Sequence, residues 1–166
     1  MISKVGTLVK LGIADMKLAA APDLLKTSGL GSCVGIVLFD ALQSVAGMVH
    51  IMLPSSKSAK NQSDNLAKFA DTGIEQVYKA LIKEGAAPER IKAKIAGGAQ
   101  MFQFSSTSEL MRIGPRNIAA VRRKLNELNI LIVAEDVGGK SGRTIEFDSS
   151  TCLLKIRTVH KGEKTI

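Results

Sequence analysis

Two continuous apolar runs of strand length lie close together in the first third of the chain. Residues 34–39 and 45–53 are almost entirely apolar, and the few residues between them suit a hairpin. Apolar residues also recur in 7–18, but without helical spacing. We therefore predict a strand over 7–18, a turn at 20–23 and a short further extended piece at 24–27.

Two later stretches carry apolar residues at the spacing of an α-helix. The first includes Leu66 to Ile82 and ends before Gly85 and Pro88, residue types that stop helices. The second opens at Gly114-Pro115, because proline is tolerated in the first turn of a helix. The predicted apolar face of this second helix consists of Ile118, Val121, Leu125 and Leu128.

The remaining apolar segments predict strands. Residues 91–96 run into a pair of glycines, and residues 130–134 form a run of the fully buried type. Two more strands, 143–147 and 152–159, follow a tight glycine-rich loop. This order of elements favours an α+β fold with a mixed sheet over a regular alternation of parallel strands and helices.

Size and composition are those of one globular domain. The chain has 166 residues, 45% of them hydrophobic, which is enough to bury a sizeable core. We place the domain at residues 1–160 and treat 161–166 as a polar C-terminal tail that frays. Aromatic residues make up only 4% and tryptophan is absent, so the core must be aliphatic. Its few rings are Phe39, Phe69, Phe102, Phe104 and Phe147.

The absence of membrane and signal-peptide patterns indicates the cellular compartment, and the net charge indicates the kind of partner. No run approaches the roughly 18 apolar residues of a membrane helix, and no signal-peptide pattern opens the chain, so we expect a cytoplasmic protein without membrane insertion. Cys33 and Cys152 should then be reduced thiols. The net charge of +8 favours acidic partners. Such partners are nucleic acid, anionic lipid or an acidic protein surface. The cations are scattered and stacking aromatics are scarce, which disfavours binding of single-stranded nucleic acid and favours a solvated basic surface.

The most unusual local sequence is the glycine-rich segment 27–33, which sets a thiol at the start of an apolar strand. Gly29 and Gly31 can adopt positive φ and let backbone amides approach a substrate carbonyl, as an oxyanion hole requires. Cys33 is therefore a candidate nucleophile. The alternative is a small buried cysteine beside a tight turn, a role that many cysteines have.

A candidate base lies 17 residues further on. The predicted hairpin places His50 on the strand adjacent to Cys33, within plausible reach across the sheet. An imidazole beside a thiol activates it by accepting its proton. The alternative is a hydrogen-bonded core histidine, since the neighbours of His50 in sequence are apolar.

Other sites can be built from the same residues. Val34 stands where a dinucleotide fingerprint needs its third glycine, which excludes that motif. Residues 31–35 read as G-x-C-x-G, a cysteine form of the nucleophile elbow, with Asp136 or Asp148 and then His160 as its partners. A strand rather than a helix follows the cysteine, which makes this a minor alternative. A zinc site would have to use Cys33, His50, Cys152 and His160, which lack the paired close spacing of zinc ligands, so we expect no metal.

Several motifs in order along the chain resemble the CheD family of chemoreceptor glutamine deamidases. The motifs are Thr27-x-x-Leu30-Gly31-Ser32-Cys33-Val34, Gly47-x-x-His50-x-Met52-Leu53-Pro54, Lys94-Ile95-x-Gly97-Gly98-Ala99-x-Met101-Phe102, Ile113-Gly114-x-Arg116-Asn117 and Asp136-x-Gly138-Gly139-x-x-Gly142-Arg143. They cover nearly the whole length. Two departures, Ser28 in place of a larger apolar residue and Pro115 in place of an acidic one, concern binding details rather than chemistry.

The resemblance implies a catalytic set of Cys33, His50 and Thr27, with Gly31 and Ser32 in the substrate and oxyanion region. It implies a mixed β-sandwich flanked by helices, similar to cytotoxic-necrotizing-factor-type cysteine deamidases. The implied reaction converts receptor glutamines to glutamate through a thioester, with no cofactor. The implied partners are chemoreceptor cytoplasmic domains and the phosphatase CheC, bound by a monomer. A second hypothesis stays open, in which the protein chiefly binds and regulates these partners.

Overall fold

A computed structural model describes residues 5–58, 65–101 and 112–166. Ten strands and two α-helices lie in these ranges: β1 (Leu8–Lys10), β2 (Met16–Ala20), β3 (Leu24–Leu30), β4 (Val34–Asp40), β5 (Val45–Ile51), α1 (Ala70–Lys83), β6 (Lys92–Gly97), α2 (Ile113–Glu127), β7 (Leu131–Val137), β8 (Arg143–Asp148), β9 (Leu153–Thr158) and β10 (Gly162–Thr165). Among the helices so described, none is long and apolar enough to cross a membrane.

The strands form two five-stranded mixed sheets. The first sheet has the order β1-β3-β8-β9-β10, and the second has the order β2-β5-β4-β6-β7. Strands β1 and β3 are parallel, as are β6 and β7, while the other neighbours run antiparallel. The predicted hairpin is confirmed, because β4 and β5 pair antiparallel with Val34 opposite Ile51.

The second sheet lies in the middle of three layers. Strand β4 is buried along its whole length, and its alternate side chains enter two different cores. Ile36 and Leu38 pack with the helices, whereas Val37 and Phe39 pack against the first sheet. This burial on both faces explains why the run reads as continuously apolar. The α+β prediction is confirmed, with two packed sheets and helices on one outer face.

Both predicted helices form, with shifted boundaries. Helix α1 buries Ile74, Val77 and Leu81, each a burial that stabilises the fold by about 1.5–3 kcal/mol. It begins at Ala70 rather than near residue 66, because Phe69 is extended and forms a bridge with Leu53. Helix α2 buries Val121 and Leu125 of its predicted apolar face.

The N-terminal prediction of one strand is wrong in detail. Residues 7–18 contain β1 and the start of β2, with a turn between them, and these two strands join different sheets. The extended piece at 24–27 continues to Leu30 as β3. Three of the five phenylalanines, Phe39, Phe69 and Phe147, are buried as predicted. The other two, Phe102 and Phe104, lie outside the described residues.

Two predictions for the C-terminal third are also wrong. Residues 130–134 do not form a fully buried strand, because β7 lies at a sheet edge where Leu131 is 60% and Val133 46% exposed. The residues after Lys161 do not fray. They form β10 on β9, and Ile166 exchanges two backbone hydrogen bonds of 2.9 Å with Leu154.

Candidate active site

Thr27 and His50 meet in the layer between the two sheets. Thr27 lies on β3 of the first sheet and His50 on β5 of the second, and both side chains are buried. The distance from Thr27 Oγ1 to His50 Nδ1 is 2.7 Å. The structure thus brings together two of the three residues that the sequence singled out as catalytic.

The carbonyl of Leu11 determines which way this hydrogen bond runs. Thr27 Oγ1 donates to Leu11 O at 3.0 Å, and a hydroxyl has only one proton to donate. His50 Nδ1 must therefore be the donor to Thr27 Oγ1. When Nδ1 carries the proton of a neutral imidazole, Nε2 has a free lone pair. Nε2 is therefore the nitrogen that can act as a general base.

Burial keeps the imidazole neutral. Loss of solvent lowers the pKa of His50 to about 4, from an ordinary value of 6.5. Its Nε2 is buried and has no hydrogen-bond partner among the described residues. His50 is thus an unprotonated base with an unoccupied acceptor atom at neutral pH.

Cys33 lies immediately before β4, half-buried at the edge of the inter-sheet core. Burial raises the pKa of its thiol above the ordinary 9.0, and its own backbone N–H partly opposes that rise. Within the described residues no hydrogen bond joins its sulfur to His50 Nε2. Burial thus favours the neutral form of both the thiol and the imidazole.

The loop before Cys33 is held by a second glycine-rich segment. Gly98 N–H donates to Cys33 O, and Ala99 N–H donates to Gly31 O, both at 2.8 Å. Gly97 has a φ of +114°, and a Cβ at this position would lie 2.3 Å from Cys33 O. Only glycine allows this approach, so the segment 97–99 fixes the backbone of the loop that carries the thiol.

Sequence reasoning gave no role to Asn117, which also contacts this loop. Its Nδ2 donates to Ser32 O at 2.9 Å and to Met52 O at 3.0 Å, and the residue is fully buried on α2. The only signal was its place in the motif 113–117. Asn117 links the residue before Cys33 to the strand end just after His50.

The nucleophile-elbow alternative is wrong, because Cys33 leads directly into β4 and not into a helix. Asp136, one acid proposed for it, pairs with Arg143 and Lys164, at 3.3 and 3.2 Å. Both cysteines are free thiols, as predicted. Across 5–58, 65–101 and 112–166, no group of three or more His, Cys, Asp or Glu side chains could hold a metal ion.

Comparison with known proteins gives one family. The sequence profile described as CheD chemotactic sensory transduction matches residues 52–158, a span that begins after Thr27, Cys33 and His50. The "Chemoreceptor glutamine deamidase CheD" of Bacillus subtilis (strain 168) is 53% identical over 95% of both chains. The protein of that name in Halalkalibacterium halodurans is 55% identical over 95% of this chain and 98% of its own.

A third relative of that name, from Bacillus licheniformis, is 50% identical over 100% of this chain and 99% of its own. One solved structure, the "hypothetical protein YfiH" of Bacillus licheniformis, aligns with 74% of this chain and 49% of its own. It has a TM-score of 0.43 and 13% identity, values too low to support an argument.

Proposed function

This chain belongs to the CheD family, and from that membership we propose that it hydrolyses the side-chain amide of specific glutamines on chemoreceptors to give glutamate. The relatives carry the name of this activity over nearly the full length of the chain. The observation that carries the proposal is the buried Thr27–His50 pair, with its free Nε2, beside the loop of Cys33.

In the proposed first half-reaction, Cys33 Sγ attacks the carbon of the glutamine side-chain amide. The thiol proton passes to His50 Nε2, the S–C bond forms and the carbonyl electron pair becomes an oxyanion. The backbone N–H groups of Ser32 and Cys33 stabilise that charge, whereas the Gly31 N–H already donates to Gly29 O at 3.1 Å. The C–N bond then breaks, and ammonia leaves with the proton that His50 had taken.

The second half-reaction hydrolyses the thioester. His50 Nε2 removes a proton from water, the resulting hydroxide adds to the carbonyl, and the C–S bond breaks. The sulfur recovers its proton and glutamate is released. In both halves Thr27 Oγ1 accepts from His50 Nδ1–H, an orienting role that acids and amides have in other triads. Protein groups and water supply every proton in this scheme, so it requires neither a metal nor an organic cofactor.

The proposed partners follow from the family and from charge. We propose that a cytoplasmic monomer binds chemoreceptor cytoplasmic domains and the phosphatase CheC, and neither binds nucleic acid nor inserts into membrane. Receptor cytoplasmic bundles often carry an acidic surface, and the net charge of +8 would steer the protein onto such a surface.

The test uses a receptor cytoplasmic fragment incubated with wild-type protein, Cys33→Ala or Cys152→Ala. Cys152 is the matched control, because it is the other half-buried free thiol. Peptide mass spectrometry reads the conversion of glutamine to glutamate. We expect conversion by wild type and Cys152→Ala and none by Cys33→Ala. Conversion by Cys33→Ala would contradict the nucleophile assignment.

Absence of conversion by all three proteins, although each binds the fragment, would contradict the catalytic proposal and favour a regulatory binding role. Chemotaxis in cells that carry Cys33→Ala separates the two roles further. A binding role predicts that this variant restores chemotaxis, and the catalytic role predicts that it does not.

A further inference from the structure

Asn117 holds the peptide group that precedes the nucleophile. Its Nδ2 lies 2.9 Å from Ser32 O and 3.0 Å from Met52 O, both of which are acceptors. Two carbonyl partners fix the orientation of the amide, since only its NH₂ end can donate. Both protons of the NH₂ group are therefore used on backbone carbonyls, one beside Cys33 and one just beyond His50.

The Ser32 carbonyl in turn sets the direction of the Cys33 backbone N–H. A trans peptide is planar, and its C=O and N–H point in opposite directions. No carbonyl among the described residues accepts a hydrogen bond from Cys33 N–H. Burial raises the pKa of the Cys33 thiol, and a hydrogen bond from this N–H partly opposes that rise. A substrate carbon bonded to that sulfur would place its oxyanion beside this N–H.

The packing of helix α2 holds Asn117 in place. A Cβ at Gly114 would lie 2.3 Å from Ala99 O, and one at Gly98 would lie 2.4 Å from Ile118 Cγ1. Two glycines thus let the first turns of α2 lie directly on the segment that binds Cys33 O and Gly31 O. The motif 113–117 therefore has a physical role in holding the nucleophile loop.

The side-chain oxygen of Asn117 has an unfavourable environment. Its Oδ1 is buried with no hydrogen-bond partner among the described residues. A buried unpaired acceptor destabilises a fold, and such atoms in native proteins call for an explanation. Placement of the two donors explains it, because the NH₂ group cannot be present without the carbonyl oxygen.

We propose that Asn117 is a positioning residue, which fixes the Ser32–Cys33 peptide so that the Cys33 N–H is an oxyanion donor aligned with the thiol. The catalytic part of this inference rests on the proposed deamidase function. The alignment itself is a property of the free protein and can be measured without any receptor.

The test compares wild type, Asn117→Ala, Asn117→Ser and Val121→Ala. Val121 is the matched control, because it is buried on the same helix in the apolar core away from the loop. Two quantities are measured: kcat and KM on the receptor fragment, and the pKa of the Cys33 thiol from the pH dependence of its alkylation by iodoacetamide. The alkylation runs in a Cys152→Ala background, so that one thiol reports.

Loss of one oxyanion donor lowers kcat by about 10²–10³-fold. Because Asn117→Ala misaligns the donor without removing it, we expect kcat to fall roughly 10- to 100-fold at nearly unchanged KM. The thiol pKa should rise, because a misaligned N–H no longer favours the thiolate. Val121→Ala should lower the melting temperature while it leaves kcat and the thiol pKa unchanged. Asn117→Ser provides a second variant of milder effect if Asn117→Ala does not fold.

A wild-type kcat and thiol pKa in a folded Asn117 variant would overturn the inference. Equal changes in Val121→Ala would overturn it as well, because they would follow stability alone. If wild type itself does not deamidate the fragment, the proposed function fails, while the alkylation result still decides the role of Asn117.

Discussion

Thr27 Oγ1 and His50 Nδ1 lie 2.7 Å apart although their strands belong to different sheets. Strands β3 and β5 do not pair with each other, so strand pairing does not set this distance. It depends on how the two sheets pack, on the Leu11 carbonyl that takes the hydroxyl proton, and on the burial of both side chains.

Thr27→Val should impair catalysis while it preserves the packing volume. The change removes the acceptor of His50 Nδ1–H, so the ring loses its orientation and a buried donor is left unpaired. We expect kcat to fall roughly 10- to 100-fold and the free energy of unfolding to fall by about 1–3 kcal/mol. Thr27→Ser keeps the hydroxyl and should retain most of the activity. An unchanged kcat in Thr27→Val would remove Thr27 from the mechanism.

The low pKa of His50 should make stability depend on pH. The unfolded chain binds a proton near pH 6.5, whereas the folded protein holds His50 neutral down to about pH 4. This contribution to stability is therefore complete above about pH 6.5 and declines as the pH falls toward 4. The decline should reach roughly 3 kcal/mol at most. Urea unfolding of wild type and His50→Gln at a series of pH values measures this decline in the free energy of unfolding. The same dependence on pH in both proteins would contradict a neutral buried imidazole.

Alkylation of Cys33 should show no resting ion pair with His50. The raised pKa of the thiol predicts that its alkylation rate climbs about tenfold per pH unit through neutrality, without a plateau below pH 9.0. His50→Gln should leave that profile nearly unchanged. An acidic plateau that disappears in His50→Gln would instead show a thiolate–imidazolium pair.

Gly97→Ala should lower both stability and kcat more than a glycine-to-alanine substitution at an open position. Its Cβ would meet Cys33 O at 2.3 Å, in addition to the strain of a φ of +114°. Gly85→Ala is the control, because it has a φ of +102° and no atom within 4 Å of the added Cβ. The control should lose about 1–2 kcal/mol from backbone strain alone and keep its kcat. We expect Gly97→Ala to lose more stability and to lower kcat, and equal effects in the two variants would contradict a role for this close approach.

The central part of the fold was predictable because its signals are local. The continuous runs in β4 and β5 reflect burial on both faces, and the spacing in α1 and α2 reflects one apolar face. The exposed side of β7 was not predictable, because nothing in the run 130–134 indicates that its strand lies at a sheet edge. Likewise the two strands within 7–18 join different sheets, which periodicity cannot reveal.

The candidate site was likewise predictable only where its contacts are local in sequence. The placement of His50 on the strand paired with β4 was predictable because the hairpin is local, and His50 lies opposite Gly35, two residues after Cys33. Thr27 came only from the family resemblance, because its contact with His50 crosses between sheets. Asn117 was missed as a contact of the loop, because a helical asparagine reads as a solvent-facing residue until the helix is placed on the loop.

The three-layer packing distributes the site over the whole domain. Thr27 comes from one outer layer, Cys33 and His50 from the middle sheet, and Asn117 from the helical layer. A chimaera that exchanges a single layer with a relative would therefore separate residues that contact one another across the layers. Grafting this chemistry onto another scaffold would require transplanting the interfaces as well as the side chains.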